Sequence, residues 1–268
     1  MALPRFYIGK LDFDMPEDAL NMGIFRHGNF PYAIELPEAA AAHVRVLRLE
    51  IGEALTLFDG VGGEFTAEIA KLSKKSVGVS MLSHQSTERE SPVRVVIVQA
   101  LAVGDKMDWI VQKACELGTA KIVPLQTERC TLRLSGERAD KRVAHWQQVA
   151  VAASEQCGRN RVARVEAIGD FSRWLATVDV SVAKYFVLHP QDDSATFVAA
   201  LKGLPGTVSA PISIYLLIGP EGGFSPAEIQ AAQAAGVVSV RLGARVLRTE
   251  TAAAAALAAI GAVIGDLH

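Results

Sequence analysis

Two segments decide the fold: Leu216-Leu217-Ile218-Gly219-Pro220-Glu221-Gly222-Gly223-Phe224-Ser225-Pro226 and Arg241-Leu242-Gly243-Ala244-Arg245-Val246-Leu247-Arg248-Thr249-Glu250-Thr251-Ala252. Each reads as a buried strand, a glycine turn and then a helix. The first helix carries a complete start signal, with Ser225 as N-cap, Pro226 at N1 and Glu228 at N3 to close a capping box. The second is expected to start at Thr249 or Thr251 and runs into the alanine-dense stretch Ala252–Ala256. In open α/β sheets, ligands settle where such turns leave the carboxyl ends of strands. Glycines there let backbone groups approach a ligand without a Cβ in the way.

Upstream of these segments, apolar runs alternate with helical periods. Strands are expected at 93–101, 121–125, 164–168, 185–188, 212–218 and 237–242, and helices at 105–117, about 137–157, 225–235 and 249–264. Continuous apolar strands separated by helices predict a parallel sheet covered on both faces. Before residue 90 the style changes to short alternating runs, such as Ala54–Phe58, Glu64–Ile69 and Val77–Met81, with glycine-bearing turns between them. Those runs predict antiparallel hairpins and a small β domain. The expected organisation is a β domain at 1–83, a polar linker at 84–92 and an α/β domain at 93–268.

Composition narrows the function classes. The chain has 268 residues, half of them apolar and 21% charged, which argues against disorder. A formal charge of −2 gives no global footprint for a polyanion, so nucleic-acid binding must come from local patches. Cys115, Cys130 and Cys157 are far apart and form no CxxC, which suits a reduced protein rather than a disulfide scaffold or zinc site. The start MALPRFYIG lacks the apolar core of a signal peptide, and no stretch is suited to span a bilayer. A cytoplasmic location, with no membrane and no metal, is therefore expected. No GxxxxGK[ST], GxSxG or HExxH segment occurs, and the strand at 93–101 leads into a single glycine rather than a dinucleotide fingerprint.

The chain resembles the bacterial 16S ribosomal RNA uracil-N3 methyltransferases of the SPOUT superfamily. The resemblance rests on GPEGGFSPAEI (219–229) and LGARVLRTETA (242–252), and extends to DWIVQKACELG (108–118), IVPLQTERC (122–130) and SEQCGRNR (154–161). It also touches PRFYIG, HVRVLRL and FDGVGGEFTAEI in the N-terminal part. It implies an α/β fold with a SPOUT-type parallel sheet and a C-terminal trefoil knot, preceded by a small PUA-like β-barrel domain that binds RNA. It further implies S-adenosylmethionine as cofactor, 16S rRNA in the small ribosomal subunit as partner, and a homodimer.

By the same resemblance, the turns after three strands would hold the cofactor. The residues concerned are Leu188 and His189; Ile218, Gly219, Pro220, Gly222 and Gly223; and Leu242, Gly243, Leu247, Arg248 and Thr249. Tight strand–helix turns alone would also explain single glycines among them. RNA contact is expected from Arg5, Arg26, Arg45, Arg48, Lys113, Arg129, Arg133, Arg159 and Arg161, because guanidinium forks match phosphates and stack on exposed bases.

Methyl transfer to N3 of a uracil requires the imide anion. Arg129 or Arg159 could stabilise its charge at O2 or O4, and Glu221 or Glu250 could accept the proton. Glu221 could equally be a turn residue, and Glu250 a first-turn acid complementing the helix dipole. Two other functions share this sequence pattern: ribose 2′-O methylation of RNA, and RNA binding without turnover as a ribosome-assembly factor.

Overall fold

The computed structural model describes residues 3–9, 31–190, 194–204 and 212–267. The chain divides into two units: residues 1–90 with 154–162, and residues 91–153 with 163–268. The sequence pattern predicts a second domain unbroken from residue 93, whereas 154–162 interrupts it. Residues 84–90, read as linker, fall within the first unit, as does 154–162.

In the first unit, β1 (Arg5–Tyr7), β2 (Tyr32–Glu35), β3 (Ala54–Phe58), β4 (Glu64–Leu72) and β5 (Val77–Gln85) form a five-stranded sheet in the order β1-β3-β4-β5-β2. The β3–β4–β5 meander is antiparallel, as the alternating runs predict, whereas β1 joins β3 in parallel. Helix α1 (Glu38–Val46) is absent from the sequence reading; its Ala40, Ala41 and Val44 pack with Phe6, Leu55, Leu57, Ile69, Val79 and Met81 as the core.

Segment 154–162 is fastened into this unit by polar side chains. Asn160, fully buried, accepts from Arg5 and donates from Nδ2 to the Thr87 carbonyl at 2.7 Å. Glu155 accepts from the backbone N–H of Tyr7 at 2.8 Å, and Arg161 pairs with Glu88 at 3.2 Å. Arg5 and Arg89 share the carboxylate of Glu64 at 2.7 and 3.0 Å.

The second unit opens with β6 (Arg94–Ala100), α2 (Lys106–Glu116), β7 (Lys121–Gln126) and α3 (Gly136–Cys157), whose final residues enter the first unit. It continues through β8 (Arg164–Val165), β9 (Gly169–Asp170), α4 (Phe171–Leu175), β10 (Lys184–Leu188), β11 (Ala195–Thr196) and α5 (Phe197–Lys202). It ends with β12 (Ser213–Ile218), α6 (Pro226–Ala234), β13 (Val238–Arg241) and α7 (Thr249–Ile264). The sheet runs β11-β13-β10-β12-β6-β7-β8, with β9 also on β7, and its pairings are parallel. The central strands read as near-continuous Val/Ile/Leu runs because both faces are covered: β6 is buried at every position after Arg94. The strand expected at 164–168 is cut to two residues, and α4 and α5, of five and six residues, are too short to show a helical period.

Both decisive turns form. Ser225 Oγ accepts from the N–H of Glu228 at 3.2 Å, and Glu228 Oε2 accepts from the N–H of Ser225 at 2.8 Å, the capping box read from sequence. Such a cap is worth about 1 kcal/mol. Helix α7 begins at Thr249, but Arg248 is its N-cap and no side chain caps it. The Thr249 hydroxyl is used elsewhere.

Candidate active site

Because β13, β10 and β12 are parallel neighbours in the sheet, their carboxyl ends open onto one edge. The chain beyond each strand lines a single cleft of about 560 Å³. Leu188 and His189 come from the end of β10, Ile218 to Gly223 from the turn after β12, and Leu242, Gly243, Leu247, Arg248 and Thr249 from the segment after β13. The structure thus brings together all the residues expected to hold a cofactor. The candidate catalytic residues Arg129, Glu221 and Glu250 line the cleft too, and the structure adds Lys106, Pro190, Phe224, Arg241, Arg245, Val246 and Ala252.

The turn after β12 needs its glycines. A Cβ on Gly219 would stand 3.1 Å from the Cα of Gly223 and 3.3 Å from the Phe224 ring, and Gly223 has φ +67°. A Cβ on Gly222 would stand 3.3 Å from that of Arg129. Across the turn, Arg129 donates from Nη1 to the Gly222 carbonyl at 3.2 Å.

A buried polar chain lies behind this turn. Gln99, fully buried in β6, donates from Nε2 to the Ala100 carbonyl and to Thr249 Oγ1, both at 2.9 Å. Thr249 in turn donates to the Gly219 carbonyl at 2.6 Å. With its lone pair facing an N–H of Gln99, the threonine hydroxyl has its proton aimed at Gly219. Sequence reading missed Gln99 because it stands inside an apolar run with no polar neighbour to mark it.

The two carboxylates of the cleft differ. Glu221 Oε1 accepts from Lys106 Nζ at 2.7 Å and from the N–H of Val103 at 3.1 Å. Burial pushes this carboxyl upward, but the Lys106 hydrogen bond and charge, with backbone hydrogen bonds, outweigh it and set it below the usual carboxylate range. A carboxylate so held is a weak proton acceptor. Glu250 Oε2, by contrast, is buried with no hydrogen-bond partner. Burial lowers the pKa of His189 and so favours its neutral imidazole.

The expected RNA-contacting residues are scattered and mostly engaged. Arg159 is 4% exposed, does not line the cleft, and forks onto Glu90, with Nε to Oε1 at 2.9 Å. Arg5 and Arg161 are paired as described, Lys113 pairs with Glu116 at 2.8 Å, and Arg133 donates to the Glu128 carbonyl at 2.9 Å. Arg45 and Arg48 are exposed on the first unit, and Arg26 lies outside the described residues. The cysteines are free. Among the described residues no His/Cys/Asp/Glu group could hold a metal ion, and no helix is long and apolar enough to cross a membrane.

Comparison with known proteins places this architecture. A family model described as an RNA methyltransferase domain matches residues 89–261, and one described as an RNA methyltransferase PUA domain matches 36–81. Ribosomal RNA small subunit methyltransferase E of Bacillus subtilis is 34% identical over 220 residues, covering 81% of this chain and 84% of that protein. The Mycobacterium bovis protein of the same name is 34% identical, covering 82% of each chain. The crystal structure of a ribosomal RNA small subunit methyltransferase E from Neisseria gonorrhoeae bound to S-adenosyl methionine superposes with a TM-score of 0.84 at 32% identity, covering 100% of both chains. The chain belongs to the ribosomal RNA small subunit methyltransferase E family.

Proposed function

We propose that this protein transfers the methyl group of S-adenosylmethionine to N3 of a uridine in the 16S rRNA of the small ribosomal subunit. The observation that carries this reading is the single cleft at the ends of β10, β12 and β13, in a family with a relative crystallised with that cofactor. The cleft suits the cofactor chemically. Leu188, Ile218, Leu242 and Leu247 offer apolar walls for an adenine, and the Gly219–Gly223 turn exposes backbone close to a ligand. When bound, the cofactor supplies a methyl group already activated on a sulfonium.

The chain's own residues must favour the imide anion and take its proton. Arg129, exposed at the cleft and tethered to the Gly222 carbonyl, has guanidinium donors left to stabilise charge on a uracil oxygen. Glu221 holds Lys106 and the 103 turn in place. Glu250 lines the cleft and makes no ion pair among the described residues, which leaves it the freer of the two to accept the N3 proton. Arg159 acts by bracing the first unit through Glu90. The target base leaves its stack to enter the cleft.

The same reading includes three further features: a trefoil knot that threads the last segments, action in the cytoplasm, and a homodimer. The small side chains of α7, with Ala255 and Ala259 partly exposed, support close helix packing against a second copy. Ala255→Trp and Ala259→Trp should shift the light-scattering mass to that of a monomer. Unchanged assembly in both variants would exclude α7 from the interface.

The deciding experiment is transfer of a tritiated methyl group from the cofactor to isolated small subunits, followed by nucleoside analysis. N3-methyluridine is expected. A 2′-O-methylated nucleoside would mark a ribose methyltransferase, and no transfer with retained RNA binding would mark an assembly factor.

A further inference from the structure

Five cationic side chains line the cleft: Lys106, Arg129, Arg241, Arg245 and Arg248. Three are engaged within the protein. Lys106 pairs with Glu221, Arg129 donates to the Gly222 carbonyl, and Arg241 donates to the Ser194 carbonyl at 3.0 Å. The side chains of Arg245 and Arg248 are exposed and make no hydrogen bond or ion pair among the described residues. They stand on the segment between β13 and α7, and between them lies Val246. Its side chain is 79% exposed, more than any other large apolar side chain among the described residues.

From this arrangement we propose that Arg245, Val246 and Arg248 form the RNA-facing rim of the cleft. The two guanidiniums take phosphates flanking the target nucleotide. Val246 packs against the base step that opens when the target base is extruded. The proposal rests on the reading of the cleft as the site of RNA methylation.

Three physical points support it. The cofactor offers one carboxylate, and a single guanidinium suffices to match it, so two unpaired arginines at the mouth exceed what the small molecule can use. A polyanion supplies phosphates for both. Exposed apolar side chains flanked by cations are the means by which proteins hold open a base step, the apolar group filling the gap while the cations grip the backbone. Finally, the rim belongs to the segment that builds the cleft, so an RNA held there has its bases at the mouth of that cleft. Arg248, expected from sequence to contact the cofactor, is thereby assigned to the RNA.

Binding of transcribed 16S rRNA should be measured from low to moderate salt for the wild type and for Arg245→Ala, Arg248→Ala and Val246→Ser, with Arg138→Ala on exposed α3 as control. Cofactor affinity is titrated in parallel. Each rim arginine variant should bind RNA more weakly and lower the slope of log affinity against log salt by about 0.7 to 0.9, one phosphate's worth. Val246→Ser should weaken binding without changing the slope, and cofactor affinity should stay within about twofold, as expected for groups that bind only RNA. Unchanged slopes in both arginine variants, or an equal fall in the control, would overturn the rim. So would lost cofactor affinity with intact RNA binding, which would give these arginines to the cofactor's carboxylate. If the slopes fall as expected but the wild type yields no N3-methyluridine, the rim stands and the proposed reaction fails.

Discussion

The Thr249 hydroxyl donates to the Gly219 carbonyl at 2.6 Å while accepting from the buried amide of Gln99. One side chain thus ties the first turn of α7, strand β6 and the glycine turn after β12 to a common point. Thr249→Val should leave a buried N–H and a carbonyl unpaired, costing about 1–3 kcal/mol in a urea melt. It should also weaken cofactor binding, because the Gly219 carbonyl loses its orientation. Thr249→Ser keeps the hydroxyl and should restore both; a serine variant as impaired as the valine one would show that the methyl group, not the relay, matters.

Gly222→Val bears on the other side of the turn. The added Cβ would stand 3.3 Å from Arg129 Cβ, and the branched methyls beyond it reach further into that side chain. Arg129 must move, taking its bond to the turn with it. Calorimetric titration should show cofactor affinity reduced at least about tenfold, or 1.4 kcal/mol, with a cooperative melt retained. Wild-type affinity in the folded variant would remove this turn from the cofactor site.

Arg159→Ala should act on stability. Its guanidinium is buried against Glu90, whose side chain is 22% exposed, so truncation leaves a partly buried carboxylate without its partner. A loss of about 3 kcal/mol is expected, the lower end of the range for breaking a buried ion pair. Chemical denaturation measures it. A variant as stable as wild type but defective in RNA binding would return Arg159 to the role expected from sequence.

Acid should loosen the first unit through Glu64. Burial, the largest influence, pushes this carboxyl up, but hydrogen bonds and charge from Arg89 and Arg5 outweigh it and set the pKa at about 2, against an ordinary 4.5. A carboxyl depressed on folding contributes its full stability above the unfolded value and loses it as pH falls toward the folded one. Stability should therefore decline from about pH 4.5 toward pH 2, and Glu64→Gln should be less stable than wild type at pH 7 and flatten that decline. A Glu64→Gln curve parallel to the wild type would assign the acid response to other groups.

What was legible in the sequence was local. The capping box at Ser225 and Glu228, the glycine turns and the apolar strands around them all declare themselves within a dozen or so residues, since period and cap depend on near neighbours. What escaped was settled by distant partners. Glu221 looks like a free acid until Lys106, 115 residues earlier, is brought to it. Arg159 reads as an RNA ligand until Glu90, 69 residues away, claims its fork. Gln99 gives no signal, because its meaning lies in Thr249, 150 residues on.

The return of residues 154–162 to the first unit makes that unit discontinuous in the gene. A fragment ending at residue 90 would carry Arg5, Thr87, Glu88 and Glu90 without Asn160, Arg161 and Arg159, the groups that satisfy them. The β unit is therefore no cassette that recombination could graft elsewhere intact. During synthesis its first ninety residues emerge early yet cannot complete the unit until the far end of α3 has been made.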